Sequence, residues 1–158
     1  MRTTSRRPTT YEEALSKTTA LCSGSEYCIH QIREKMEKWQ VAPADMDRVI
    51  DYLLDERYID EARFCRAYCH DKLRYNHWGR IKISQMLRLM HLDKIDIQEG
   101  IDSIDEDEYT AILEALIKAK LPSIKANSDY ERNGKLIRFA LSRGFEMDLI
   151  CRLVKQEE

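Results

Sequence analysis

Cys65 and Cys69 stand four residues apart with His70 beside them, a spacing that puts two thiols and an imidazole on neighbouring turns of a helix and would suit a zinc ion. No second Cys or His pair follows at zinc-finger distance. The five cysteines, Cys22, Cys28, Cys65, Cys69 and Cys151, are an odd number in a chain large enough to build a core, so they read as reduced thiols serving as small hydrophobes. The acidic run Asp102, Asp105, Glu106, Asp107 and Glu108 lacks the alternating ligands and central Gly of a calcium loop and reads as a solvated linker and helix cap. His30, His70, His77 and His91 form no constellation with acids or thiols, and there is no glycine-rich phosphate loop, nucleophile elbow or His-Glu-x-x-His. The expectation is a protein that is not an enzyme and that uses no metal and no cofactor.

Binding chemistry is better represented. Arg63, Arg66, Lys72, Arg74, Arg80, Lys82 and Arg88 fall mostly off the apolar stripes, with Tyr75 and Trp78 among them. That mixture suits a surface that meets phosphates or carboxylates beside an aromatic plate. Lys135, Arg138 and Arg143 repeat the theme further on. The plainer alternative is a row of solvated helix faces, and Trp78 can equally plug a gap between repeats while Gly79 permits close approach.

The net charge of −2 conceals a segregation. From Arg63 to Lys94 eight Lys or Arg face only Asp71 and Asp93; Ile95 to Ala115 holds eight carboxylates and no base. Leu116 to Gly144 is basic again, with seven bases against two acids, and Tyr11 to Glu61 is acidic, with twelve acids against six bases. Separate basic and acidic surfaces fit an extended polyanionic or mixed-charge partner better than a small ligand.

The elements that must position these residues are helical. Apolar residues recur at three and four rather than two, and the 158 residues hold only five Gly and three Pro. Helices are expected from about Thr9 or Thr10 (with Glu12 or Glu13 completing the capping box) to Leu21, Ser25 to Trp39 (capped by Ser23 with Glu26), Pro43 to Arg57, Asp60 to Arg74, Trp78 to Met90, Lys94 to Ser103, Asp105 to Lys120, Ser128 to Ser142 and Met147 to Lys155. Arg143-Gly144-Phe145 has the form of a glycine C-cap with a hydrophobic residue after it.

The skeleton Ile83, Leu87, Leu92, Ile97, Ile101, Ile104 recurs 51 residues earlier as Ile32, Met36, Val41, Met46, Ile50, Leu53, and 53 later as Leu136, Ala140, Phe145, Ile150, Val154. Repeats at such a period point to tandem small units. The expected fold is all-α, an elongated, curved array of three three-helix repeats (11–59, 60–104 and 105–158) after a loose basic tail, 1–10. With no run of the roughly 18 apolar residues that cross a bilayer and no apolar start, the expected compartment is the cytoplasm.

Leu54, Tyr58-Ile59-Asp60-Glu61, Phe64, Tyr68, then Trp78-Gly79-Arg80-Ile81-Lys82-Ile83, Leu87 and Leu92 resemble the central signature of RecX proteins, bacterial modulators of the RecA recombinase. The likeness runs from about Ser25 to Val154. Where that family often ends its fifth helix with Lys-Gly-Ile this chain has Met90-His91-Leu92, so a left-handed cap there must be strained, replaced or absent. The resemblance implies a protein that lies in the groove of the RecA filament on single-stranded DNA, blocks its extension and damps strand exchange, ATP hydrolysis and the co-protease role in the SOS response; a monomer is expected. Direct contact with single- or double-stranded DNA stays open. The alternatives are a helical nucleic-acid-binding module without a recombinase partner, and a protein-interaction scaffold.

Overall fold

Thr10, Asp60 and Asp105 each turn a side-chain oxygen onto the backbone N–H three residues on, that of Glu13, Arg63 and Glu108. Each cap satisfies one of the amide donors that a helix start leaves bare. Behind them run α1 (Tyr11–Gly24), α4 (Glu61–Asn76) and α7 (Glu106–Lys120). Each is followed by two shorter helices: α2 (Ile29–Lys38) and α3 (Pro43–Asp55), α5 (Arg80–Leu89) and α6 (Lys94–Asp102), α8 (Asp129–Ser142) and α9 (Met147–Gln156). The structure is a computed structural model that describes residues 7–158. Among the described residues the fold is all-α, with one 3-10 turn at Leu121–Ser123 and no strand.

Two expected helix starts move. The chain pauses at Cys28, whose N–H is accepted by the Gln31 side chain, so α2 begins at Ile29 rather than near Ser25. Ser23 does not cap it; its hydroxyl donates to the Thr19 carbonyl inside α1, which runs on to Gly24. Likewise α5 starts at Arg80 rather than Trp78, because His77 takes a left-handed turn (φ 55°) and Gly79 is extended. The expected loose tail falls largely outside the described residues. Just before α1, Arg7 pairs with Glu13 and the Thr9 N–H donates to the Trp39 carbonyl.

The turn after the second helix of each triplet is the same turn three times. Gln40, His91 and Gly144, spaced by the sequence repeat, all have positive φ (58°, 60° and 92°). The residue after each donates its N–H back across the helix end, Val41 to Met36, Leu92 to Leu87 and Phe145 to Ala140, and is itself buried. This is the left-handed C-cap with its hydrophobic latch. His91 therefore adopts the left-handed state that the sequence leaves in question. A non-Gly residue there costs on the order of 1 kcal/mol.

The repeated skeleton is buried throughout: Ile32, Ile83 and Leu136 are each 0% exposed, as are Met36, Leu87 and Ala140. Packing is densest within triplets, with α4 against α7 the main helix pair across them. The core falls into two clusters. One joins Ala14, Ile32, Met36, Val41, Val49 and Leu53 of α1–α3. The other is continuous from Phe64 through Ile83, Leu87, Tyr109 and Leu113 to Phe145 and Val154, so α4–α9 share one interior. A fully buried Leu, Ile or Phe contributes about 1.5–3 kcal/mol, which makes sharing worthwhile for triplets too small to bury much alone.

Candidate functional site

Most of the predicted arginines are paired with carboxylates of the same chain. Arg63 on α4 donates from Nε to Glu26 at 2.5 Å and Arg66 pairs with Glu99 of α6. Arg74 meets Glu108 of α7 with two nitrogens, at 2.6 and 3.2 Å, a fork-on-carboxylate geometry that holds both planes. The hydrogen bond between them raises Arg74 and lowers the Glu108 carboxyl from its ordinary range. Arg80, at the start of α5, reaches Glu106 and Glu146 while its guanidinium lies 3.9 Å from the Tyr109 ring centroid.

Arg80 sits in a wider joint. The Tyr109 hydroxyl is buried between chains of the fold, donating to Glu146 and accepting the Arg80 N–H. Burial first, and the Glu146 carboxylate second, push the phenol far above its usual range, so it stays a donor. On either side the main chains join directly: the Gly79 N–H donates to Arg143 O at 2.8 Å and the Ile81 N–H to Gly144 O at 3.0 Å. A Cβ on Gly79 would lie 2.3 Å from Gly144 O, and one on Gly144 would lie 2.3 Å from Lys82 Cβ. Gly79 thus permits the close approach expected of it.

What remains unpaired is aromatic and cationic. Lys72 of α4 and Lys82 of α5 both set their ammonium groups on the Trp78 ring, 5.0 and 4.6 Å from its centroid, and neither makes an ion pair among the described residues. Trp78 is half-buried, packs against the large core and carries two cations on its ring. Tyr75, one turn away, is 79% exposed. Each cation on an aromatic face is held by about 0.5–1 kcal/mol at exposed sites, enough to orient the lysine without neutralising it.

The second basic set adjoins this one, because Gly144 packs on Lys82. Arg143 and Lys120 lie over the Phe139 ring at 5.3 and 5.0 Å. Lys120 and Phe139 escaped the sequence reading, since Phe139 lies off the core stripe and Lys120 precedes a proline turn; only the structure brings them to Arg143. Lys135 is occupied by Glu131 and the Lys125 carbonyl, Arg138 is exposed on α8, and Arg88 is exposed on α5, away from Trp78. The thiols of Cys65 and Cys69 are buried and pushed up to about 12 by burial, so they stay protonated as small core side chains. No group of three metal-ligating side chains occurs among the described residues. Nor is any helix among them long and apolar enough to cross a membrane.

Comparison with known proteins gives a consistent picture. Residues 60–101 match the family model of the RecX second three-helix domain and residues 106–154 that of the RecX third three-helix domain; together these cover more than half of the chain. A regulatory protein RecX of Clostridium botulinum (strain Eklund 17B / Type B) is 28% identical over 128 residues, 80% of this chain and 59% of that protein. One from Acinetobacter baylyi is 28% identical over 141 residues, 88% of this chain and 84% of that protein, and one from Leuconostoc mesenteroides is 23% identical over 87% and 51%. The match thus spans only about half to three-fifths of the clostridial and Leuconostoc relatives. Among solved structures, the crystal structure of a regulatory protein RecX superposes with a TM-score of 0.82 at 15% identity, over 94% of this chain and 73% of that one. RecX from Lactobacillus salivarius gives 0.80 at 13%, over 92% and 95%.

Proposed function

Since the chain belongs to the RecX family of regulatory proteins, we propose that it acts without catalysis, as a cytoplasmic monomer that binds the groove of the RecA filament on single-stranded DNA, blocks extension and damps strand exchange, ATP hydrolysis and co-protease activity. Its working form is an elongated, curved array of three units, 11–59, 60–104 and 105–158. The observation that carries the reading is the pair of lysines on Trp78, continuous with Arg143 and Lys120 on Phe139. These cations have no carboxylate partner among the described residues, whereas Arg63, Arg66, Arg74 and Arg80 are each paired with one. A polyanionic assembly is attracted by such a surface, and the attraction weakens as salt rises.

The test is ATP turnover by RecA on single-stranded DNA. The protein is expected to inhibit at less than one copy per recombinase, and Lys72→Glu with Lys82→Glu to abolish inhibition while circular dichroism stays unchanged. An Arg66→Glu, Glu99→Arg swap is expected to inhibit normally. Inhibition untouched by the lysine reversals would overturn the site. Absence of inhibition alongside tight binding to naked strands, with a salt slope of about 0.7 per neutralised phosphate, would favour a nucleic-acid module instead.

A further inference from the structure

The second and third helices of every triplet pack together, and equivalent positions across them carry different side chains. In the first triplet Arg33 of α2 and Asp47 of α3 bridge the two helices at 3.1 Å. The positions 51 residues on are Ser84 of α5 and Gln98 of α6, both neutral, and no bond joins them. In the third triplet the pair is Ile137 and Cys151. Only the second triplet therefore combines an unbridged groove with polar walls.

That groove encloses about 380 Å³, lined by Ser84, Arg88, Lys94, Ile95, Ile97 and Gln98, a size that takes one or two large side chains. Its floor is apolar Ile97, buried, and its rim carries Ile95, 73% exposed. Leu89, beside Arg88 in the chain, is 67% exposed. Arg88 and Lys94 make no ion pair among the described residues, in contrast with the arginines of α4. Exposed aliphatic surface framed by unpaired cations matches a ligand with the converse make-up.

We propose that the α5–α6 groove is a docking site for a segment of a partner protein in which one large apolar side chain is flanked by Asp or Glu. The apolar side chain enters between Ser84 and Gln98 onto Ile97, and the flanking carboxylates meet Arg88 and Lys94. A nucleic acid would use the cations but leave Ile95 and Ile97 without a counterpart, so protein is the better fit. The site is separate from the Trp78 surface, and the two can be tested apart.

The probes are short fluorescein-labelled peptides carrying a central Leu, Phe or Trp between acidic residues, with Asn and Gln versions as controls, and a labelled oligo-dT. Fluorescence polarisation is expected to show binding of the acidic set only, and amide signals of Ser84, Ile95 and Gln98 should shift on titration. Ser84→Arg with Gln98→Asp transplants the Arg33–Asp47 bridge and is expected to weaken peptide binding about tenfold or more while melting temperature and RecA inhibition stay as in the parent. Should that variant fold poorly, Arg88→Gln with Lys94→Gln serves as the second probe, with a similar loss expected. Failure of every acidic peptide to bind, binding that survives both variants, or oligo-dT shifting the same three amides in place of peptide would each overturn the proposal.

Discussion

The joint between the second and third triplets and the joint between the first and second are built from different materials. At the former, main chain meets main chain, with Gly79 and Ile81 bonded to the Arg143–Gly144 turn and no room for a Cβ; the core runs through without a break. At the latter, side chains reach across: Arg63 to Glu26, and the His30 ring edge-on to His91 at 5.3 Å. Cys28 is the one buried residue that α1–α3 lend to the larger core, and Glu26 leaves Oε2 buried with no partner. Backbone carries no rotamer freedom, so the main-chain bonds hold α4–α9 as one body, whereas the joint between the first and second triplets rests on a few side chains. The first triplet is therefore expected to open before α4–α9.

The strongest way to break this contrast is Gly79→Ala. With Gly144 O only 2.3 Å from the new methyl, overpacking should cost about 3 kcal/mol, read as a lowered melting temperature for α4–α9. A change smaller than that of an ordinary surface mutation would mean the main chains do not hold the joint. Next in size, Tyr109→Phe removes a donor to Glu146 and an acceptor for the Arg80 N–H, and should cost about 1–3 kcal/mol because both partners are left unmatched.

Arg63→Ala is expected to be mild in global stability, at most about 1 kcal/mol for a pair this exposed, yet to quicken labelling of Cys28. Burial pushes the Cys28, Cys65 and Cys69 thiols up, so all three are protected while closed. Thiol-reagent kinetics should show Cys28 released before Cys65 and Cys69. Simultaneous release of all three would erase the difference between the joints.

Acid gives the smallest effect, and it has opposite signs at the two joints. Glu61, beside the joint between the first and second triplets, is raised by burial; its ionisation opposes folding, so stability is recovered as pH falls through its folded value towards the unfolded one. Glu108, at the joint between the second and third triplets, is lowered by its hydrogen bond from Arg74; its contribution is present above the ordinary carboxylate value and lost as pH falls through the depressed one. Hydrogen exchange along an acid titration should therefore slow near α2 first and quicken near α7 later. Glu61→Gln should remove only the first change.

Much of this was legible beforehand. The Thr10, Asp60, Asp105 and Ser128 caps follow from one short polar side chain before an apolar run, and the 51- and 53-residue offsets land on Gln40, His91 and Gly144 in one conformation. The destinations of the arginines were not legible. Their partners Glu99, Glu106, Glu108 and Glu146 lie 26 to 66 residues away, beyond any local pattern. The hint was the charge segregation itself: a basic block followed by an acidic block of equal count is what two neighbouring, mutually neutralising helices require. The late start of α5 was hidden for the same reason, since its capping groups come from another triplet.

The three leading amides of α5, those of Gly79, Arg80 and Ile81, are taken by Arg143 O, the Tyr109 hydroxyl and Gly144 O. A glycine ahead of Arg-x-Lys at a helix start has the look of an anion cradle, in which bare N–H groups and the positive end of the dipole receive a phosphate. Here the cradle is already full. Any nucleotide that meets this surface is met by flexible ammonium groups on long stems, which tolerate every sequence and every small shift along a strand, and not by a fixed pocket that would hold it to one position.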